Sequence, residues 1–379
     1  MFGKFMNNYY YGKSGKGDYT PEDLPKTRMQ LFFEMLRVRL SALCRLNMLY
    51  VLPWIPTLLV IGSFVMTSFQ TLNAPYTMEN VYQQIQAARA SGEGVGADGS
   101  VTVTADEAQG GTVVYTPDMI AQIEEFNAMT DEEVALMQVG TLRSDLMQCL
   151  IWLIPCILIT GPWTAGVSYV TRNWARDEHA FIWSDMKDAM KENWKEALGL
   201  SAITSVMPVL AWLCWSFYGD MAAENWIMVI PQMFTVLVVA MWYLAVTYAY
   251  PMLVTYQMSF RVIVKNSMLL AVGRLPMSVG IRLLHCVPTA IAIVLMLLIG
   301  SYWIPMVLLG YYVLIGFGLS RFVTASYTNA QFDKYINSRI EGAQVNRGLA
   351  EDDDEYLEED EEEERELKPW ENGYTSQDK

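Results

Sequence analysis

A short stretch of small and hydroxyl-bearing residues is the part of this sequence best suited to binding chemistry. Gly161 and Ala165 are four residues apart, so on a helix they form one face that a neighbouring backbone can approach closely. Thr160, Thr164 and Ser168 follow the same spacing on an adjacent face. We expect a helix-packing seam or, as the alternative, a hydroxyl-lined path for a polar solute. The full candidate motif is Thr160, Gly161, Pro162, Thr164, Ala165, Gly166 and Ser168.

Two arginines one helical turn apart follow this motif. Arg172 and Arg176 are expected to contact anionic lipid headgroups at the cytoplasmic surface, and a regulatory anion is the alternative ligand. The sequence has two histidines, His179 and His285, and no paired cysteines, so we expect no metal site. Phosphate-binding glycine motifs and a nucleophile-elbow motif are also absent from the sequence. We therefore expect no catalytic residues and no cofactor, and we predict that the protein is not an enzyme.

The elements that carry these residues are long apolar runs. Hydrophobic residues make up 53% of the 379-residue chain. They concentrate in runs close to the roughly 20 residues that cross a hydrocarbon core. Each run contains proline, which predicts either static kinks or hinges beside a solute path. The predicted spans are 46–70, 146–170, 198–218, 226–256, 283–300 and 304–324.

We expect the cores of these six spans to lack Asp, Glu, Lys and Arg. The nearby ionisable group is His285, which we place at the end of the fifth span beside Arg282. Ion-coupled carriers usually need a buried titratable group, so this expectation weighs against coupled transport. Sodium-coupled transport is not excluded by this expectation, because a sodium site can be built from carbonyl and hydroxyl oxygens alone.

The distribution of Lys and Arg predicts the orientation of the spans. The first 45 residues carry eight of these cations, loop 171–197 carries five and loop 257–282 carries four. Short loops 219–225 and 301–303 carry none. The positive-inside rule therefore places both termini in the cytoplasm. Segment 71–145 then lies outside.

After the first span, the predicted all-α membrane body covers residues 146–340. Polar segments lie before it and after it. Residues 1–45 are expected to include an interfacial amphipathic helix at 30–46. Two further surface helices are predicted, at 183–198 and, less regularly, at 259–275.

Outside the membrane, residues 71–145 are expected to form a small α+β insert. A helix over 78–90, a hairpin of 101–104 with 112–116 around Gly110 and Gly111, and a helix running from Pro117 into the second span make up this prediction. The tail 341–379 is predicted to be disordered and acidic, because residues 351–364 contain twelve acids and no base.

The motif and the segment after it resemble a known family. Residues 161–166 read Gly-Pro-x-Thr-Ala-Gly, 169–172 form a Tyr-Val-x-Arg step, and residues 183–187 and 191–195 supply a Trp/Phe-x-Asp-x-Lys…Lys-Glu-Asn-Trp/Phe-Lys helix. Over about 146–200 these features are similar to YesL-like bacterial membrane proteins. The resemblance implies a multi-span protein of the bacterial cytoplasmic membrane, often encoded beside sugar-uptake systems and with no settled biochemical activity. The insert and the acidic tail depart from that family.

These features favour a non-enzymatic accessory or regulatory membrane protein, linked through the resemblance to carbohydrate uptake. The alternative is an uncoupled permease or channel for a small neutral solute. We expect membrane lipids and a membrane-protein partner such as a sugar-uptake complex as binding partners, and no nucleic acid.

Overall fold

The computed structural model describes residues 24–104, 112–301 and 303–350. Among these residues, six helical segments are long and apolar enough to cross a membrane, and each overlaps one of the predicted spans. The prediction of six membrane-length helices is therefore confirmed, and their orientation stays a prediction. The segments are Arg28–Ser91, Asp131–Ala175, Trp194–Ala222, Trp226–Leu253, Leu275–Ile299 and Trp303–Arg339.

The regular elements divide some of these segments. The helices are α1 Arg28–Val51, α2 Ile55–Ser91, α3 Pro117–Ala128, α4 Asp131–Ala175, α5 Ser184–Glu192, α6 Trp194–Ala222, α7 Val229–Leu253, α8 Phe260–Gly273, α9 Leu275–Ile299, α10 Trp303–Tyr311 and α11 Phe317–Tyr335. The strands are β1 Val101–Thr104 and β2 Thr112–Tyr115. Short 3-10 turns occupy Leu52–Trp54, Trp226–Met228 and Asn337–Arg339, and a π-helical turn joins α10 to α11 at Tyr312–Gly316.

These elements form two compact units. The first consists of Met1–Val51, Pro162–Ala197 and Tyr243–Lys379, and the second of Leu52–Gly161 and Leu198–Trp242. The long helices α4, α6 and α7 each contribute residues to both units.

The helix is interrupted inside the first predicted span. The prediction put one span over 46–70, but α1 ends at Val51 and α2 begins at Ile55. Pro53 and Pro56 flank this break and lack the N–H groups that an uninterrupted helix would use. The predicted interfacial helix 30–46 thus lies within α1. Its apolar residues Leu31 and Leu46 are buried, and α1 packs against α11.

A small folded module in the second unit joins the end of α2 to β1, β2 and α3. The strands pair in antiparallel fashion with Val101 opposite Tyr115, so the predicted hairpin is confirmed for its strands. Its turn at Gly110-Gly111 lies outside the described residues. Ile85, Val101, Ile120 and Ile123 form the core of the module.

The predicted continuous helix from Pro117 to Leu146 is wrong, because the structure has two helices there. Helix α3 ends at Ala128 and α4 begins at Asp131. Thr130 and Glu133 form a reciprocal cap: the Thr130 N–H donates to Glu133 Oε2 at 2.9 Å, and the Glu133 N–H donates to Thr130 Oγ1 at 3.4 Å.

One of the two other predicted surface helices differs from expectation. The predicted helix 183–198 is divided, since α5 ends at Glu192 and α6 starts at Trp194. Among the apolar residues of this range, Met186 and Ala197 are buried, whereas Trp183 and Trp194 are exposed. The predicted helix 259–275 corresponds to α8.

Part of the tail predicted to be disordered is held against the first unit. Residues 341–350 are described, and the Ala350 N–H donates to the Pro25 carbonyl at 3.0 Å. The Asn346 N–H donates to Asp333 Oδ2 at 3.3 Å. The prediction of disorder is therefore wrong for this part, and residues 351–379 lie outside the described residues.

The π-helical turn is held by a buried asparagine of α1. Asn47 Nδ2 donates to the carbonyls of Tyr312 and Val313 at 3.0 and 2.6 Å. Its Oδ1 accepts the Gly318 N–H at 2.7 Å. A π turn leaves backbone groups without their usual helical partners, so this single side chain satisfies three of them.

Candidate functional site

Gly166 allows α5 to lie directly against α4. A Cβ atom at this position would stand 2.7 Å from the carbonyl oxygen and Cγ of Met186, and 2.7 Å from Cγ of Met190. Only glycine fits at this distance without displacing α5. Ala165 beside it is fully buried. Gly166 thus packs closely against the short helix α5, whereas the seam of Gly161 and Ala165 stays a prediction.

The hydroxyl stripe is occupied by hydrogen bonds within the protein. Thr160 Oγ1 donates to the Ile157 carbonyl at 2.7 Å, and Ser168 Oγ donates to the Thr164 carbonyl at 2.7 Å. The Thr164 hydroxyl is 2.9 Å from the Tyr50 hydroxyl. All three stripe residues are buried. This arrangement favours the packing interpretation over a solute path.

Pro162 lies inside α4, in the same buried stretch as Gly161, without interrupting the helix. Proline cannot donate to the carbonyl four residues earlier, which belongs to Leu158. Ser201 Oγ donates to that carbonyl at 2.9 Å. A neighbouring side chain thus replaces the missing bond, which favours a static kink at this position.

The two predicted anion-contacting arginines face protein groups. Arg176 is buried; its Nε lies 3.2 Å from Glu178 Oε1, and its Nη2 donates to the Gln344 carbonyl at 3.4 Å. Arg172 Nη1 donates to Asn173 Oδ1 at 3.1 Å. Contact of either arginine with headgroups or a regulatory anion stays a prediction.

The turn after Arg176 has an unusual backbone. Asp177 has a φ of +55°, in the left-handed region that favours glycine. Burial raises the pKa of its carboxyl group, and the charge of Arg39 opposes that change. Because folding raises the pKa of the Asp177 carboxyl group, the protonated group contributes to the free energy of unfolding below its ordinary pKa. This contribution is lost as pH rises through the raised pKa.

A buried carboxylate organises the far end of α11. Asp333 accepts hydrogen bonds from Arg28 Nη2 at 2.5 Å and from Asn337 Nδ2 at 2.6 Å, besides the Asn346 N–H. Tyr256 donates to Asn337 Oδ1 at 2.7 Å. Burial, reinforced by the Asp333 charge, raises the pKa of Tyr256 to about 12, so the phenol stays protonated at neutral pH.

Arg321 lies between two tyrosines in the first unit. Its Nε donates to the Tyr50 hydroxyl at 3.2 Å. The guanidinium carbon is 5.8 Å from the centre of the Tyr50 ring and 5.7 Å from the centre of the Tyr250 ring, within the range of cation–π attraction. A hydrogen-bonded chain therefore runs from the Thr164 hydroxyl of the motif through Tyr50 to Arg321.

Arg282 and His285 lie one turn apart on α9. Arg282 Nη2 donates to the Tyr243 carbonyl at 2.5 Å. Its Nε and the Nε2 of His285 are buried without a hydrogen-bond partner. The imidazole also bonds to the backbone of Ser320, next to Arg321. The two arginines and the histidine are close enough for their charges to act on one another.

The expectation of spans without Lys or Arg was wrong. Arg321 falls inside the predicted span 304–324, and Arg282 falls inside α9. The predicted fifth span begins at residue 283, whereas α9 begins at Leu275 and so includes Arg282. Pro276 near the start of α9 is a helix-start signal that identifies the earlier beginning.

The second unit contains an open cleft of about 590 Å³. Trp212 and Trp215 contribute aromatic faces to it, and Arg143 Nη2 lies 3.3 Å from Asp220 Oδ2 at its lining. Across the part of the chain that the structure describes, no three His, Cys, Asp or Glu side chains come together, and we assign no metal ligand.

Six apolar helices of membrane-crossing length define a multi-span helical membrane protein. Within it, residues 146–214 match a family described as a protein of unknown function, DUF624. This is the family that includes the YesL-like proteins. The match covers the motif, α5 and most of α6, which is less than half of the chain. Searches of curated proteins and of solved structures returned no match.

Proposed function

We propose that this chain is a non-enzymatic accessory or regulatory protein of the bacterial cytoplasmic membrane that binds another membrane complex. The DUF624 match, together with the resemblance to YesL-like proteins, makes a carbohydrate-uptake complex the first candidate partner. The Lys and Arg distribution supports a topology with both ends in the cytoplasm.

The packing of the motif carries this proposal. Gly166 is covered by Met186 and Met190, and the hydroxyls of Thr160 and Ser168 are bonded to carbonyls of their own helix. A transport path would need these groups to face a wet cavity, at least in turn. Their role in packing leaves binding through the surfaces of the protein as the better-supported function.

Site-specific photocrosslinking in native membranes tests the proposal. A photoreactive residue at Val114, half-exposed on the folded module, should capture one stoichiometric membrane protein. The same residue at Leu297, an 82% exposed position on α9, is the matched control expected to contact lipid. Absence of a protein adduct from Val114 and from further exposed module positions, together with purification of the chain alone, would refute the proposal.

The cleft in the second unit favours one second candidate, an uncoupled permease for a small neutral solute. Its volume and its aromatic lining with a few polar groups are typical of small-molecule sites. Flux of neutral sugars into proteoliposomes should then fall in the Trp212→Ala variant and persist in Trp226→Ala, a 76% exposed control. Absence of flux with the wild-type protein would eliminate this candidate.

A further inference from the structure

We propose that Arg282, His285 and Arg321 form a binding site for a phosphate-type oxyanion. This inference goes beyond the proposed function and does not depend on it, since a partner complex could bind with or without the anion. All three residues belong to the first unit, and two helices, α9 and α11, present them.

Buried polar atoms without a hydrogen-bond partner are the first observation. Arg282 Nε and His285 Nε2 are buried and have no partner, although buried polar groups in folded proteins are nearly always bonded. Arginine has no acceptor atom and stays charged, so its free N–H can be satisfied only by an acceptor. An anion oxygen, or water, would supply the missing partner.

Uncompensated positive charge is the second observation. Arg282 and Arg321 take no part in any ion pair among the described residues. Arg321 is held instead by the Tyr50 hydroxyl and by two aromatic faces. Like charges repel strongly where the dielectric constant is low, and a bound anion would convert this repulsion into attraction.

The geometry of the donors selects the ligand class. A guanidinium group presents a planar fork that matches the oxygens of phosphate or carboxylate. Two such groups, with the His285 imidazole one helical turn from Arg282, fit the higher charge and the larger number of oxygens of a phosphate better than those of a single carboxylate. The Tyr50 hydroxyl lies beside Arg321 and is itself hydrogen-bonded to the Thr164 hydroxyl.

Position along the helices indicates how the anion could arrive. In the predicted topology, the short loop 301–303 lies at one face of the membrane. Arg321 follows Trp303 by 18 residues, or about 27 Å at 1.5 Å per residue, which is close to the roughly 30 Å thickness of the hydrocarbon core. The site therefore lies near a membrane boundary. Arg282, His285 and Arg321 each keep part of their surface exposed. Both a free phosphate and the phosphate of a lipid headgroup could reach such a site.

Thermal unfolding of the full chain distinguishes these sources. One series adds inorganic phosphate to the protein in a neutral detergent, with chloride keeping the ionic strength constant. A second series compares vesicles of phosphatidylcholine alone with vesicles that also contain phosphatidylglycerol. Ligands that bind the folded state raise its unfolding temperature in a saturable way. We expect such a rise with phosphate, with phosphatidylglycerol, or with both, and the responding series identifies the source.

Substitutions of the arginines test whether the stabilisation by the anion arises at this site. Arg282→Gln and Arg321→Gln should each weaken the apparent affinity about tenfold or more, as expected for loss of a charge-assisted hydrogen bond. Arg282→Lys keeps the charge and should retain part of the affinity. Arg261→Gln removes an exposed arginine of α8 and should leave the affinity unchanged.

Two results would overturn the proposal. One is a wild-type protein that neither phosphate nor phosphatidylglycerol stabilises. The other is equal loss of affinity in Arg261→Gln and Arg282→Gln, which would indicate a general charge effect. If Arg282→Gln does not fold, the comparison of Arg282→Lys and His285→Gln with Arg261→Gln decides in the same way.

Discussion

Replacing Gly166 with alanine tests the contact between α4 and α5 most directly. The added methyl carbon would lie 2.7 Å from the Met186 carbonyl oxygen, whereas ordinary contacts begin at 3.4 Å. The two methionine side chains can change rotamer, but the carbonyl oxygen belongs to the α5 backbone. Helix α5 would therefore have to move away by about 0.7 Å, taking the buried Met186 side chain with it.

The expected loss of stability combines two opposing effects. Forcing a methyl group into a packed contact typically costs about 1–3 kcal/mol. Replacing glycine by alanine inside a helix contributes about 0.5–1 kcal/mol in the opposite direction. We therefore expect Gly166→Ala to lower the free energy of unfolding by about 1–2 kcal/mol.

Gly140 provides a matched control on the same helix. A Cβ atom at that position meets nothing within 4 Å, so Gly140→Ala should raise stability by about 0.5–1 kcal/mol. Unfolding of both variants can be measured by titrating sodium dodecyl sulfate into dodecyl maltoside micelles. A Gly166→Ala protein as stable as the wild type, beside a stabilised Gly140→Ala protein, would refute the close packing of α5.

Three further substitutions test separate features by the same unfolding measurement. Asn47→Ala leaves the π turn and the Gly318 N–H without partners and should cost about 3 kcal/mol; a loss below about 1 kcal/mol would contradict the bonding we describe. Thr130→Ala removes the cap shared with Glu133 and should cost about 1 kcal/mol, with faster amide hydrogen exchange in the first turn of α4, whereas unchanged exchange would argue against the cap. Asp177→Val should cost about 1–2 kcal/mol because a β-branched residue tolerates a φ of +55° poorly, and Asp177→Gly should be tolerated; equal stability of the two variants would count against this backbone conformation.

The sequence predicted the features that depend on local pattern. Six apolar runs identified the membrane-length helices, because hydrocarbon thickness fixes the length that each run needs. Alternating residues around two glycines identified the strands of the hairpin. Gly166 of the small-residue motif is a close-packing position. Its partner was not predictable, because α5 is a short helix whose docking depends on Gly166 and two methionines.

Other features were not predictable from local patterns, because they depend on contacts between distant parts of the chain. Arg28 bonds to both Asp333 and Asn346, and no local pattern relates residues more than 300 positions apart. Arg321 is hard to recognise for a different reason, since a single charge among apolar and aromatic residues hardly changes the mean hydropathy of its span. The capping pair Thr130 and Glu133 could have been found from its Thr-x-x-Glu spacing.

The π turn at Tyr312–Gly316 determines the direction in which the last helix presents its side chains. Such a turn accommodates one residue more than an α-helical turn, and each residue of an α-helix rotates the chain by about 100°. Substitutions that restore regular α-helical winding over Tyr312–Gly316 without removing a residue would therefore rotate the face that carries Arg321 away from Tyr50 and Tyr250. Any variant of this chain that keeps the tyrosine contacts must consequently keep the π turn or lose one residue together with it.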